Sequence, residues 1–131
     1  TFEDESFDLV VSQDVMEHVY DPAKAFNEIT RTLKKGGYYI FTTPLVNKFR
    51  SSEIWAIKGE TGKPIFLKEP EYHGNPVDPE GSPVTMHWGY DIVDFIKTSS
   101  NMDATLEYID DLKHGIRAEF IEVVVCKKNL S

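Results

Sequence analysis

Cysteine is almost missing from the chain: Cys126 is the only one in 131 residues, so no internal disulfide can form. It sits in the apolar run Glu119 to Cys126, where a buried thiol acting as a small hydrophobe is the plain expectation. A single thiol also suits a reducing compartment. Basic residues are scarce, with 14 Lys and Arg against 22 Asp and Glu and a formal net charge of -8. That argues against a nucleic-acid partner, since phosphate-backbone binding draws its affinity from clustered Lys and Arg. No run nears the roughly 18 consecutive apolar residues of a membrane span. The opening Thr1-Phe2-Glu3-Asp4-Glu5 is acidic where a signal peptide is basic. These absences lead to the expectation of a soluble cytoplasmic protein without membrane contact. His18, His73, His87 and His114 are scattered and have no second thiol beside them, so no zinc spacing is seen. Asp14 alone is a poor basis for magnesium, and no metal is expected. Finally, no two of the eight glycines are separated by a single residue, which leaves these residues without a Gly-x-Gly turn.

What is present suffices for one domain over residues 1–131, with 40% apolar residues and length for a single core. Phe7 to Ser12 is a short, β-branched apolar run, as expected for a strand covered on both faces. Asp21-Pro22 signals a helix start, with Asp as N-cap and Pro at the first helical position. Ala25, Phe26, Ile29 and Leu33 form one apolar stripe, and Lys34-Lys35 before Gly36-Gly37 reads as the helix end. Tyr38 to Thr42 follows as a strand stopped by Pro44. Strand, helix and strand in this order make a βαβ unit with parallel strands and a right-handed crossover.

Residues 45–88 form a long connection, read as an insertion or lid. Within it, Glu53 to Lys58 and Lys63 to Lys68 could pair as a hairpin around Gly59-Glu60-Thr61-Gly62. The Pro- and Gly-rich stretch Glu69 to Pro83 reads as irregular backbone. Asp91 to Ser99 reads as a short helix turning Ile92, Val93 and Ile96 inward, and Ala104 to Ile109 and Glu119 to Cys126 as antiparallel closing strands.

The segment Ser6-Phe7-Asp8-Leu9-Val10-Val11-Ser12-Gln13-Asp14-Val15-Met16-Glu17-His18-Val19, continuing through Asp21-Pro22 to Leu33-Lys34-Lys35-Gly36-Gly37-Tyr38-Tyr39-Ile40, resembles class I S-adenosylmethionine-dependent methyltransferases acting on small molecules. The likeness is close over about the first 45 residues, through a Glu-His pair before the helix and a Lys-x-Gly-Gly turn after it. It implies an α/β, Rossmann-like fold of which the chain holds the C-terminal half: about four strands in the family order 4-5-7-6, the last antiparallel. It also implies S-adenosylmethionine as cofactor, with Ser12, Gln13 and Asp14 lining its methionine side and His18 beside them. A cap role for Asp14 and a backbone bond for His18 are the plainer alternatives.

If the acceptor is a hydroxyl, His73, His87 and Tyr90 are the general-base candidates. The phrase Glu71-Tyr72-His73-Gly74-Asn75-Pro76 also occurs in some members of the superfamily, although a Gly-Asn-Pro turn explains it as well. Trp55 and Trp88 either wall a substrate pocket or anchor a lid.

The adenosine half of such a site is not among these residues, and the chain opens on Thr1, so a longer protein is expected and the isolated chain should bind cofactor weakly or not at all. The strand at 7–12 would then expose an edge, to be covered by a second copy, another polypeptide or its own N-terminal residues. A non-catalytic interaction module and a sugar-nucleotide Rossmann-like domain are the other readings; the Glu-His and Lys-x-Gly-Gly offsets count against the latter.

Overall fold

In the computed structural model, which describes residues 1–131, the expected βαβ unit is present. It comprises β1 (Phe7–Gln13), α1 (Pro22–Thr32) and β2 (Leu33–Thr42). The Asp21 carboxylate accepts the Lys24 backbone N–H at 3.0 Å, and Pro22 occupies the first turn, where its missing N–H costs nothing.

The helix stops at Thr32 instead of running to Lys35. The hydroxyls of Thr30 and Thr32 donate back to the carbonyls of Phe26 and Ile29, a bonding mode that competes with helix continuation. The carbonyls of Arg31 and Thr32 accept instead from Glu5 and Ser6 N–H, and Leu33 turns into the core in extended conformation. Gly36-Gly37 therefore does not cap the helix. It shapes a bulge: Phe7 faces Leu33 while Leu9 already faces Tyr38. Gly36 has φ +75°, and a Cβ on Gly37 would lie 3.0 Å from the Asp8 carbonyl oxygen.

The main sheet adds β9 (Met102–Tyr108) and β10 (Glu122–Lys128), in the order β1-β2-β10-β9. β1 and β2 are parallel, and β10 runs antiparallel to both β2 and β9. This is the expected 4-5-7-6 half-sheet, with the two closing strands displaced by one to three residues from their sequence-based bounds because Met102 joins the core and Glu119 does not.

Register fixes what each face carries. Val10, Ser12, Tyr39, Phe41, Val124, Cys126 and Ala104 share one face, and α1 and α2 (Ile92–Ser99) both pack there through Phe26, Ile92 and Ile96. Leu9, Val11, Ile40, Val123 and Val125 point the other way. Leu9 and Val11 are 52% and 66% exposed, so β1 is covered on one face only, contrary to the expectation from its apolar run. β1 is also the terminal strand, and the N-terminal residues cross its foot rather than its edge. Phe2 packs edge-on against Phe7 with ring centroids 5.0 Å apart, and Arg31 holds the Phe2 carbonyl. A groove of about 490 Å³ remains there, lined in part by Phe2, Phe7, Leu9 and Ile29.

The connection from 45 to 88 contains three small antiparallel ribbons. β4 (Ala56–Lys58) and β5 (Pro64–Phe66) form the expected hairpin, shorter than read from the sequence. β3 (Glu53–Ile54) pairs instead with β8 (Met86–His87), and β6 (Tyr72–His73) with β7 (Ser82–Pro83), so the Pro-rich stretch is not wholly irregular. Trp88 pins the end of this connection: its ring is fully buried and its indole N–H donates to the Met16 carbonyl at 3.0 Å.

Gly89, beside it, allows a close backbone approach, because a Cβ there would lie 2.2 Å from the Arg50 carbonyl oxygen and 2.9 Å from that of Lys48. Gly89→Ala is expected to lower stability by about 1–3 kcal/mol, the usual cost of overpacking, read as a lower urea midpoint at unchanged slope.

Candidate functional site

In open α/β sheets the ligand crevice lies beyond the carboxyl ends of the parallel strands. β1 ends here at Gln13. Asp14 then adopts φ +51°, a left-handed conformation that Asp tolerates, while its N–H still bonds the Thr42 carbonyl at 3.0 Å. The chain turns at once into a single 3₁₀ turn, Met16–His18, whose cap position makes no side-chain hydrogen bond, so Asp14 is not its cap. Met16 and Glu17 go inward and His18 stays half-buried.

The residues read from the sequence fall into two groups. Ser12 and Gln13 border a cavity of about 250 Å³ with Val11, Ile40, Phe41, Thr42 and Val123. The Ser12 hydroxyl also shares a 2.7 Å hydrogen bond with that of Tyr39. Asp14 is exposed at the same rim.

His18, His73 and His87 gather elsewhere, around the 3₁₀ turn. His18 Nδ1 donates to the Pro83 carbonyl at 2.8 Å, the backbone bond foreseen as its plainer role, and its Nε2 lies 3.2 Å from His73 Nδ1. His87 stacks on Trp55 with centroids 3.7 Å apart and meets Glu71 Oε2 at 2.6 Å. His73 and His87 line one small cavity of about 20 Å³ with Glu17, Pro44, Val46, Glu71, Val84 and Met86.

Tyr90 is not part of it. Its hydroxyl donates to Glu122 Oε1 at 2.9 Å, which, with some burial, raises its pKa and makes it a weaker proton donor. Trp88 belongs to the core, whereas Trp55 holds its place through its indole N–H bond to the Glu69 carbonyl at 2.8 Å.

Sequence reasoning missed the depth of Glu17. Its side chain is buried, Oε2 accepts the Thr43 hydroxyl at 2.7 Å, and Oε1 has no hydrogen-bond partner. The Glu17-His18 pair was legible as a pair. Its meeting with His73 was not, because 55 residues separate the two histidines.

Two groups beneath the rim give a pH dependence. Burial pushes the Tyr39 hydroxyl up to about 12, against the pull of its Ser12 hydrogen bond, and the Cys126 thiol up to about 12. In the unfolded chain they ionise near their ordinary values of 10.0 and 9.0. Both are neutral when folded, so their contribution is complete below pH 9 and is lost as pH rises toward about 12. Urea midpoints should therefore fall steadily across that window, and Cys126 should react with a thiol reagent only on unfolding.

A methyltransferase-domain family model matches residues 1–41, the stretch that builds β1, α1 and most of β2. Over the whole chain, a crystal structure of an S-adenosylmethionine-dependent methyltransferase from Mesorhizobium loti superposes with TM-score 0.60 at 16% identity, covering 97% of this chain and 64% of that one. The fold is that of a class I S-adenosylmethionine-dependent methyltransferase. A methyltransferase from Methanosarcina mazei agrees, with TM-score 0.57, 17% identity and coverage of 100% and 63%. Among curated relatives, dimethylglycine N-methyltransferase of Parasynechococcus marenigrum is 50% identical over 42 residues, 32% of this chain and 15% of that protein. Ubiquinone biosynthesis O-methyltransferase of Alkalilimnicola ehrlichii is 42% identical over 53 residues, 40% of this chain and 21% of that protein. The chain thus spans somewhat under two thirds of these solved methyltransferases and matches 15–21% of the curated relatives' length.

Proposed function

We propose that this methyltransferase-like chain supplies the methionine-side and acceptor-side parts of an S-adenosylmethionine-dependent methyltransferase for a small-molecule acceptor. The observation that carries this reading is the rim beyond β1 and β2: two parallel strands ending side by side at Gln13 and Thr42, with Ser12, Gln13 and Asp14 in line and a 250 Å³ cavity beside them. The polar groups fit a charged amino-acid tail, since Gln13 and Asp14 are exposed at the rim.

When bound, S-adenosylmethionine supplies an activated methyl group, and a protein then has chiefly to align acceptor, carbon and sulfur. In this reading residues 45–88 form a lid that closes the acceptor side. His73 or His87 takes the proton of a hydroxyl acceptor, and His18 holds the lid strand through Pro83. Tyr90, tied to Glu122, is the weaker base candidate.

The free edge of β1, its bare face and the adjoining groove suit a second polypeptide or the adenosine-binding half of the same protein. A second copy of the chain is the alternative occupant. The lone buried thiol suits a reducing cytoplasm. No helix is long and apolar enough to cross a membrane.

Nuclear magnetic resonance titration of the labelled chain with millimolar S-adenosylhomocysteine tests the reading. Amide shifts, small at this affinity, should cluster at Ser12 to Asp14 and Thr42 to Pro44; shifts centred elsewhere would reject it.

A further inference from the structure

Three groups converge between the 3₁₀ turn and β6: Glu17 Oε1, His18 Nε2 and His73 Nδ1. All lie within 4.8 Å of one another. Glu17 is 2% exposed, and Oε1 is the half of its carboxylate that nothing satisfies. A buried, unpaired carboxylate oxygen is costly, and native folds leave few of them without a purpose.

A proton does not resolve it. His18 Nε2 and His73 Nδ1 stand 3.6 and 3.8 Å from Oε1, too far for hydrogen bonds. The His18 tautomer also points a lone pair inward. A neutral imidazole has one N–H, and His18 spends it on the Pro83 carbonyl through Nδ1, which leaves a lone pair on Nε2. His73 Nδ1, 3.2 Å away, either donates its proton to that lone pair or, in the tautomer whose proton sits on Nε2 toward Glu71 Oε1 3.6 Å off, adds a second lone pair. In neither tautomer does Glu17 Oε1 gain a hydrogen-bond partner, whereas a cation among the three atoms would meet both ring nitrogens and the carboxylate.

We propose that Glu17, His18 and His73 form a divalent transition-metal site, with zinc as its ion. Metal bonds of zinc's usual length set tetrahedral ligand atoms about 3.3–3.4 Å apart. The three observed separations, 3.2, 3.6 and 3.8 Å, bracket that spacing. Two imidazoles and one carboxylate without a thiolate suit zinc, with iron(II) and manganese(II) as weaker matches.

The surroundings are those of a held site. Pro83 orients His18, Glu71 backs His73, and Thr43 fixes the far oxygen of Glu17, which are the outer contacts that steady metal ligands. Glu17 and His73 also line the 20 Å³ cavity, which has room for about one water. The ion's fourth position would therefore hold a water or one oxygen of a substrate. Because His73 comes from the 45–88 connection and the other two ligands from the turn after β1, the ion would clamp that connection to the sheet. The inference does not depend on methyl transfer; with the ion bound, His87 rather than His73 is the base candidate.

The test uses the full chain without an affinity tag, stripped with a chelator and titrated with zinc by calorimetry. Cobalt(II) serves as the spectroscopic probe. One ion per chain is expected, with micromolar or tighter affinity and the intense visible bands of four-coordinate cobalt. His73→Ala should weaken binding roughly 100-fold, and Glu71→Ala about 10-fold. His114→Ala, remote from the cluster, should change nothing. Glu17→Gln removes the charged ligand and should also bind poorly; because it is buried it could misfold, so the half-exposed His73 variant and the cobalt spectrum of the unaltered chain carry the decision. Absence of saturable zinc binding, a cobalt spectrum of the hydrated ion, or unchanged affinity in His73→Ala would overturn the proposal.

Discussion

Trp88→Ala is expected to lower stability by about 3–5 kcal/mol, the range for removing a fully buried aromatic side chain. Few substitutions in the chain should cost more. The indole touches both layers: it packs edge-on against Phe95 of α2 with centroids 5.3 Å apart, and its N–H satisfies the Met16 carbonyl beneath the 3₁₀ turn. Truncation opens a cavity and also strands a buried carbonyl, and these costs come from separate causes. With one face of its sheet bare, the chain buries less than a fully layered domain, so a loss of this size should leave much of the variant unfolded at room temperature. Trp88→Phe separates the two costs: a ring remains, and the residual loss, about 1–3 kcal/mol, reports the unsatisfied carbonyl. Trp55→Ala is the contrast, since that ring is half-exposed, stacks on His87 and gives its N–H to an exposed Glu69 carbonyl that water can satisfy, and it should cost far less. Urea unfolding followed by far-ultraviolet circular dichroism ranks the three. If Trp88→Ala kept a midpoint near that of Trp55→Ala, Trp88 would not be the anchor argued here.

What could be read in the sequence and what could not follows the range of the interactions. Asp21-Pro22 announced the start of α1 because N-capping is settled within three residues, and the structure shows that bond. The helix end was misread for the opposite reason. Lys34-Lys35-Gly36-Gly37 looks like a C-terminal signal, yet Leu33 is drawn into the core and opposite Phe7 by contacts 26 residues apart, so those glycines serve a bulge.

The apolar run at β1 told of a strand but not of how many faces would be covered; that depends on where α2, eighty residues later, comes to pack. The site divides in the same way. That Ser12, Gln13 and Asp14 stand at the carboxyl end of β1 was legible because the end of a strand is a local fact. Glu17, His18 and His73 needed the 45–88 connection to fold back through Thr85, whose hydroxyl and N–H both bond the Glu17 carbonyl. No spacing rule within the chain reports such a return.

The second large effect concerns cofactor affinity. The isolated chain should bind S-adenosylmethionine with a dissociation constant of about millimolar or weaker, and addition of a glycine-rich strand-turn-helix half should tighten it by at least roughly 100-fold. The physical reason lies in what these 131 residues offer. The rim at Ser12 to Asp14 can meet one end of a ligand, but none of the eight glycines forms a Gly-x-Gly turn that would bring backbone N–H groups and a helix N-terminus against it. A factor of 100 corresponds to about 2.7 kcal/mol, no more than a few hydrogen bonds and one buried ring contribute. The free half also pays an ordering cost, because the cavity beside Val11 and Ile40 opens onto the uncovered face and has no second wall until that face is covered. The two causes can be told apart. Covering the face with a half whose glycine turn has been altered should restore the wall without the adenosine contacts, and only part of the affinity should return. Calorimetry on the chain alone decides first: micromolar binding there would mean that the methionine-side rim suffices by itself, and the reading of the chain as half of a cofactor site would have to be abandoned.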